Sequence, residues 1–91
     1  MLDIKEGKKY IEYIRGTPCL ICGRIGADPD HLETVGMGGN RKKDMWEHFT
    51  CIPLCRIHHT ERHNSMKKFE EKYRINCWRE AFRLFRSWAR H

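Results

Sequence analysis

The stretch PLCRIHHTERHN, residues 53–64, gathers Cys55, His58, His59 and His63 where a solvated segment would carry only charged and polar side chains. Thiolate and imidazole are the ligands that hold zinc in a tetrahedral shell. Upstream, PCLICG sets Cys19 and Cys22 two residues apart, and Cys55 and His58 repeat that gap. The gap lets both side chains of a pair turn toward one ion, about 2.3 Å from each sulfur. The two pairs together predict a structural Zn2+ site of Cys19, Cys22, Cys55 and His58. An all-cysteine set with Cys51 in place of His58 competes with it, but Cys51 falls in a predicted strand, whereas Cys55-x-x-His58 fits a turn entering a helix. Cys77 has no partner in sequence and reads as a small apolar residue on its helix.

With His58 assigned to that site, His59 and His63 remain. A separation of four places them on one helix face, one turn apart, so both imidazoles can reach a second ion. Such a pair alone is common on solvated helices, and Asp30-His31 adds to it. An acidic residue followed by histidine on a strand presents its carboxylate on one pleat face and the imidazole on the other. Asp30, His59 and His63 then make an open divalent-metal site, with His31 left to take a proton.

The elements that must position these groups follow from pattern and capping. Asp3 with Glu6 three residues on resembles a helix N-cap and its reciprocal partner. The segment 3–15 puts Tyr10, Ile11 and Ile14 on one face, and Gly16 and Pro18 stop it. Strands are expected at His31–Val35 and His48–Leu54, joined by GMGGNRKKDMW, a glycine-rich basic segment too long for a tight hairpin. Helices are expected over Arg56–Asn64, Met66–Tyr73 and Cys77–Arg90, the last capped by Asn76. The chain reads as a single α+β domain: an N-terminal helix 3–15, a metal-bearing core 17–64 and a C-terminal helical part 65–91.

Eighteen Lys and Arg against twelve Asp and Glu give a net charge of +6, which favours a polyanionic partner, nucleic acid first. The chain opens MLDIKEGKKY, charged where a secretion signal needs an apolar run. A cytoplasmic location is expected, where paired cysteines are metal ligands more often than bridges. No apolar run is long enough to span a membrane.

CLIC at 19–22, DPDHL at 28–32, IPLCRIHH at 52–59 and His63 together resemble the HNH endonucleases of the ββα-metal superfamily, in their zinc-supported branch common in bacteria and phages. GMGG before the second strand and FEEKYRI after the histidines are similar, more loosely, to phage recombination-associated HNH nucleases. The resemblance covers roughly residues 17–64 and implies a small ββα-metal unit flanked by helices, acting as a DNA endonuclease or nickase. It implies Asp30, His59 and His63 as ligands of a catalytic Mg2+ or Mn2+, His31 as general base, and Cys19, Cys22, Cys55 and His58 as the zinc ligands. The family's middle asparagine, which fastens the loop between the strands and helps orient the base, falls at Thr50. The chain departs from the pattern there, and Asn40 is a candidate substitute. Products with 5'-phosphate and 3'-hydroxyl ends are implied as well.

Two basic elements are candidates for holding DNA. Arg41, Lys42 and Lys43 lie in the segment between the strands. Arg79, Arg83, Arg86 and Arg90 recur at intervals of four, three and four, a narrow stripe on the last helix with no acid in it. The neighbouring arc of Trp78, Phe82, Phe85 and Trp88 has the spacing of a buried face and is expected in the core. The rival reading is a non-catalytic zinc module that binds nucleic acid or protein, its HNH-like site degenerate.

Overall fold

The computed structural model describes residues 4–33 and 46–90, with side chains over 6–33 and 47–90. Asp3, Val35, Asn40, Arg41, Lys42 and Lys43 lie outside those residues. Helix α1 spans Ile4–Arg15 and turns Tyr10 and Ile14, four positions apart, fully into the interior. It ends where the Gly16 N–H reaches the Glu12 and Tyr13 carbonyls and the Thr17 hydroxyl donates to the Tyr13 carbonyl at 2.9 Å.

An antiparallel pair of strands follows, β1 (Asp28–His31) and β2 (Cys51–Leu54), in register from Asp28 opposite Leu54 to His31 opposite Cys51. This corrects the expected strands. The first runs Asp28–His31 rather than onward from His31, since Leu32 and Glu33 already lie past its end, and His48 to Thr50 belong to a 3-10 turn, Trp46–Thr50, that feeds β2. The register supplies the reason. The Leu32 N–H donates to the Thr50 carbonyl at 3.4 Å. By alternation, Pro29 and Pro53, which face each other, fall on a pair whose backbone polar groups point away from the partner strand. Two residues that read as strand breakers therefore cost the ladder no hydrogen bond. The outward Pro53 carbonyl accepts instead from the Leu20 N–H at 3.0 Å, which ties the Cys19–Cys22 turn to the sheet.

Helices α2 (Arg56–Asn64), α3 (Met66–Tyr73) and α4 (Cys77–Ala89) complete the described chain, close to their expected spans. Ser65 caps α3 by accepting from the Lys68 N–H at 3.2 Å, and Asn76 caps α4 through the Arg79 N–H at 2.9 Å. Between them Arg74 takes a left-handed φ of 55° that ends α3. Glu61 of α2 accepts from Lys72 Nζ at 2.8 Å and from the Tyr73 hydroxyl of α3. The Lys72 bond, then the Tyr73 bond, holds the Glu61 carboxyl below its usual range.

Tyr10, Ile14, Ile52, Leu54, Phe69 and Leu84 form the core with Cys51, Cys77 and Ala81. Tyr10 joins both ends of the chain, with Phe85 and Trp88 of α4 edge-on to its ring at 5.8 and 5.1 Å between centroids. The result is a small α+β unit, with four α-helices and one two-stranded sheet among the described residues. No helix among them is long and apolar enough to cross a membrane.

Candidate functional site

Four ligand groups converge where the Cys19–Cys22 turn meets the start of α2. The donor atoms of Cys19, Cys22, Cys55 and His58 lie within 4.8 Å of one another. The turn closes on itself, with the Cys19 N–H on the Arg24 carbonyl at 3.0 Å and the Gly23 N–H on the Cys19 carbonyl at 2.9 Å. Gly23 has a φ of 73°, a conformation that a side chain would strain. Cys55 is the N-cap residue of α2 but makes no side-chain cap. Its sulfur lies instead 3.1 Å from His58 Nδ1.

Two of the spacings match a zinc shell, while Cys55 and His58 stand closer. Cys22 Sγ is 3.8 Å from Cys55 Sγ, and Cys19 Sγ is 3.6 Å from His58 Nδ1. A tetrahedral ion about 2.3 Å from sulfur and about 2.0 Å from nitrogen separates its ligands by about 3.8 Å and about 3.5 Å respectively. The sulfurs are too far apart for a disulfide, and all five cysteines are free thiols. Burial opposes ionisation of Cys19, but hydrogen bonds from the backbone at Cys22, Cys55 and Ile21, with His58, bring its pKa down to about 6. At Cys22 the Arg24 backbone favours the thiolate, yet desolvation and the neighbouring Cys19 and Cys55 sulfurs outweigh it and push the pKa up. Cys51, the competing ligand, is fully buried on β2 outside the cluster, and burial pushes its thiol up. Cys77 is buried at the start of α4, its thiol pushed up to about 12 chiefly by desolvation.

Next to His58 on α2, His59 and, one turn beyond it, His63 face β1. Asp30 Oδ1 is 3.2 Å from His59 Nε2 and 3.6 Å from His63 Nε2, and the two imidazole nitrogens are 3.0 Å apart. Neighbouring ligands of an octahedral ion bound at about 2.1 Å stand about 3.0 Å apart, so this donor set fits a divalent cation on one side. Asp30 is fully buried, His59 partly and His63 is exposed, which leaves coordination positions facing solvent. Asp28 shares the Asp30 face of β1 and stands 3.8 Å from His59 Nδ1, behind the nitrogen turned to the cluster.

Arg62, which the sequence reading did not single out, grips Asp30 from the same helix. Its Nε donates to Asp30 Oδ2 at 2.7 Å, Nη2 donates to Oδ1, and Nη2 also reaches the His31 carbonyl at 3.2 Å. The hydrogen bonds to Asp30, ahead of any other influence, raise the Arg62 pKa. The signal was present in the sequence, since positions 59, 62 and 63 share one helix face.

His31 leaves β1 on the face opposite Asp30. Its Nε2 lies 2.9 Å from His48 Nδ1, and both rings line a depression of about 370 Å3 against Lys8, Ile11, Glu12 and Arg15 of α1. His48 comes from the 3-10 turn, and no spacing rule pointed to it. Thr50 is buried. Its hydroxyl accepts from the Glu33 N–H at 3.2 Å and donates to the Glu47 carbonyl at 2.7 Å. It thereby ties the chain on either side of residues 34–45.

On α4 the arginine stripe is exposed as expected, with one correction. Arg83 is paired with Glu80, Nη2 to Oε1 at 2.8 Å, so an acid does lie beside the stripe. The aromatic arc divides. Phe85 and Trp88 pack against the core, but Phe82 is 67% exposed and Trp78 lies outside the core cluster. The buried face is centred on Cys77, Ala81 and Leu84, and Phe82, about 100° round from Ala81, falls off it.

Fold and site together define a small α+β unit with a three-cysteine, one-histidine cluster and an adjoining Asp-His-His cluster that meet at one helix. The chain belongs to the family of proteins of unknown function DUF968, whose model matches residues 3–85. It is similar to the uncharacterized protein YdfU of Escherichia coli strain K12, with 40% identity over 72 residues, 77% of this chain and 19% of YdfU. The chain thus spans about a fifth of the length of that relative. No solved structure matches it.

Proposed function

We propose that the chain is a metal-dependent DNA endonuclease or nickase of the HNH kind. The observation that carries the reading is the meeting of Asp30, His59 and His63 at 3.0–3.6 Å, with His31 on the adjoining strand position. The order of strand, strand and helix, with a zinc-fitting cluster at the start of that helix, supports it.

In this reading His31 takes the proton from the attacking water, because imidazole is the side chain that accepts protons near neutral pH. Asp30, His59 and His63 would hold Mg2+ or Mn2+, which when bound would supply Lewis-acid stabilisation of the charge that develops in phosphodiester hydrolysis. Asp30 and His31 leave β1 on opposite faces, so the substrate must straddle the edge of that strand to touch both. Thr50 takes the fastening part of the missing asparagine. Cys19, Cys22, Cys55 and His58 hold Zn2+ and fix the start of α2, so that His59 and His63 face β1. The net positive charge favours DNA as partner.

Supercoiled plasmid incubated with zinc-loaded protein should be nicked or cut when Mg2+ or Mn2+ is added and not without it. His31→Ala should keep zinc and fold and lose about 100- to 10,000-fold in rate. Cleavage within a few-fold of the parent by that variant would remove His31 from the mechanism. One observation favours a second reading, a zinc module that binds nucleic acid without cutting it: Arg62 already engages both oxygens of Asp30. Zinc-loaded protein that binds DNA but leaves plasmid intact with either metal would establish that reading instead.

A further inference from the structure

The exposed ring of Phe82 lies among arginines. It shares with Arg79, Glu80, Arg83, Arg86 and Arg90 the lining of an open depression of about 780 Å3 on α4. Glu80 neutralises Arg83, while Arg79, Arg86 and Arg90 have no carboxylate partner among the described residues. Trp78, one turn before Phe82, stands beside it with ring centroids 6.2 Å apart. An apolar ring of that size, 67% exposed and flanked by unneutralised cations one turn to either side, suits a ligand that alternates flat π faces with negative charges.

We propose that this face of α4 binds a single-stranded segment of nucleic acid, with an unpaired base stacked on Phe82 and the flanking phosphates held by Arg79, Arg86 and Arg90. The choice of single strand follows from what a ring can reach. Inside a duplex both faces of every base are covered by neighbouring bases, so Phe82 gains contact only where a base is already free, whereas phosphates serve the arginines in either form. The proposal rests on the nucleic-acid half of the functional reading and does not need cleavage.

Its test therefore measures binding alone, by fluorescence anisotropy of the zinc-loaded chain without added Mg2+ or Mn2+. The probes are oligothymidylate of about 16 nucleotides, an abasic strand of the same length and a duplex of the same length. The parent should bind oligothymidylate several-fold more tightly than the abasic strand. Phe82→Ala should weaken binding of oligothymidylate by about 5- to 100-fold and leave binding of the duplex within about twofold, and Phe82→Trp should restore the single-strand affinity. Arg86→Gln should weaken all three complexes and lower the salt slope on the single strand by about 0.7. Because Phe82 is exposed, the alanine variant should melt like the parent. Equal binding of the base-bearing and abasic strands by the parent would overturn the proposal without any variant. So would a folded Phe82→Ala that holds oligothymidylate as the parent does, or no binding of single strands at all.

Discussion

Where α2 begins, Cys55 and His58 meet the two sulfurs of the Cys19–Cys22 turn, and the adjacent His59, with His63 one turn beyond it, meets the buried carboxylate of Asp30. The first cluster is complete. It has four donors of the zinc type, two at a tight turn and two at a helix start, and among the described residues no Lys or Arg side chain is bonded to them. The second has three donors and an arginine already bonded to the only carboxylate among them. A closed set with nothing left to add suits a cross-link, whereas an incomplete set open to solvent suits a site where a substrate completes the shell. One helix serves both uses, because the ligands at its start anchor the neighbouring face that carries His59 and His63.

Breaking the closed cluster should have the largest effect. Apparent zinc affinity at such sites is about 10–16 kcal/mol, comparable to or above the whole stability of a domain, about 5–15 kcal/mol. Cys55→Ser should therefore lose its zinc and unfold, as read by metal content and circular dichroism. Cys51→Ala, at the competing position, should keep one zinc per chain. The reverse pattern would move the ligand set to Cys51.

The open cluster should respond through Arg62 before it responds through its histidines. Arg62→Met leaves the Asp30 carboxylate buried without its guanidinium, a loss of about 3–5 kcal/mol. His63→Ala removes an exposed side chain and should shift stability by no more than about 0.5 kcal/mol. Urea melts of the two variants at one pH compare them, and equal midpoints would mean that Arg62 does not support Asp30.

That asymmetry also marks where the sequence was readable. The helices could be read because their caps are local: Ser65 and Asn76 accept from N–H groups three residues ahead. The zinc-fitting cluster could be read because each pair is a short-range spacing, leaving only the question of which pairs meet. The first strand is misplaced along the chain because Pro29 is tolerated only opposite Pro53, on a pair that makes no ladder hydrogen bond, a relation set by register; the second, expected with Pro53 inside it, differs only where His48 to Thr50 form a 3-10 turn. The helix face of Arg62 is legible from its spacing to His59 and His63, but its pairing is not. Its partner lies thirty-two positions away, and an arginine on a helix rich in charge reads as solvated. Likewise Phe82 has the spacing of a core residue, and only the packing of α4 on Tyr10 shows which aromatics remain outside.

A smaller effect should come from Thr50. Thr50→Val keeps the shape but removes the hydroxyl that links Glu33 to Glu47, a loss of about 1–3 kcal/mol. If Thr50 serves the open cluster through that link, the variant should cleave plasmid more slowly while retaining its zinc. An unchanged melting midpoint would show that the link contributes nothing to the fold.

The most direct test of the two-cluster account is calorimetric titration of Mn2+ into zinc-loaded protein, parent beside His63→Ala. Mn2+ is the better probe because imidazole donors suit it better than Mg2+. The account predicts one Mn2+ per chain in addition to the bound zinc, with affinity falling about tenfold or more in the variant while zinc content stays the same. Absence of Mn2+ binding by the parent, or equal binding by both proteins, would contradict it.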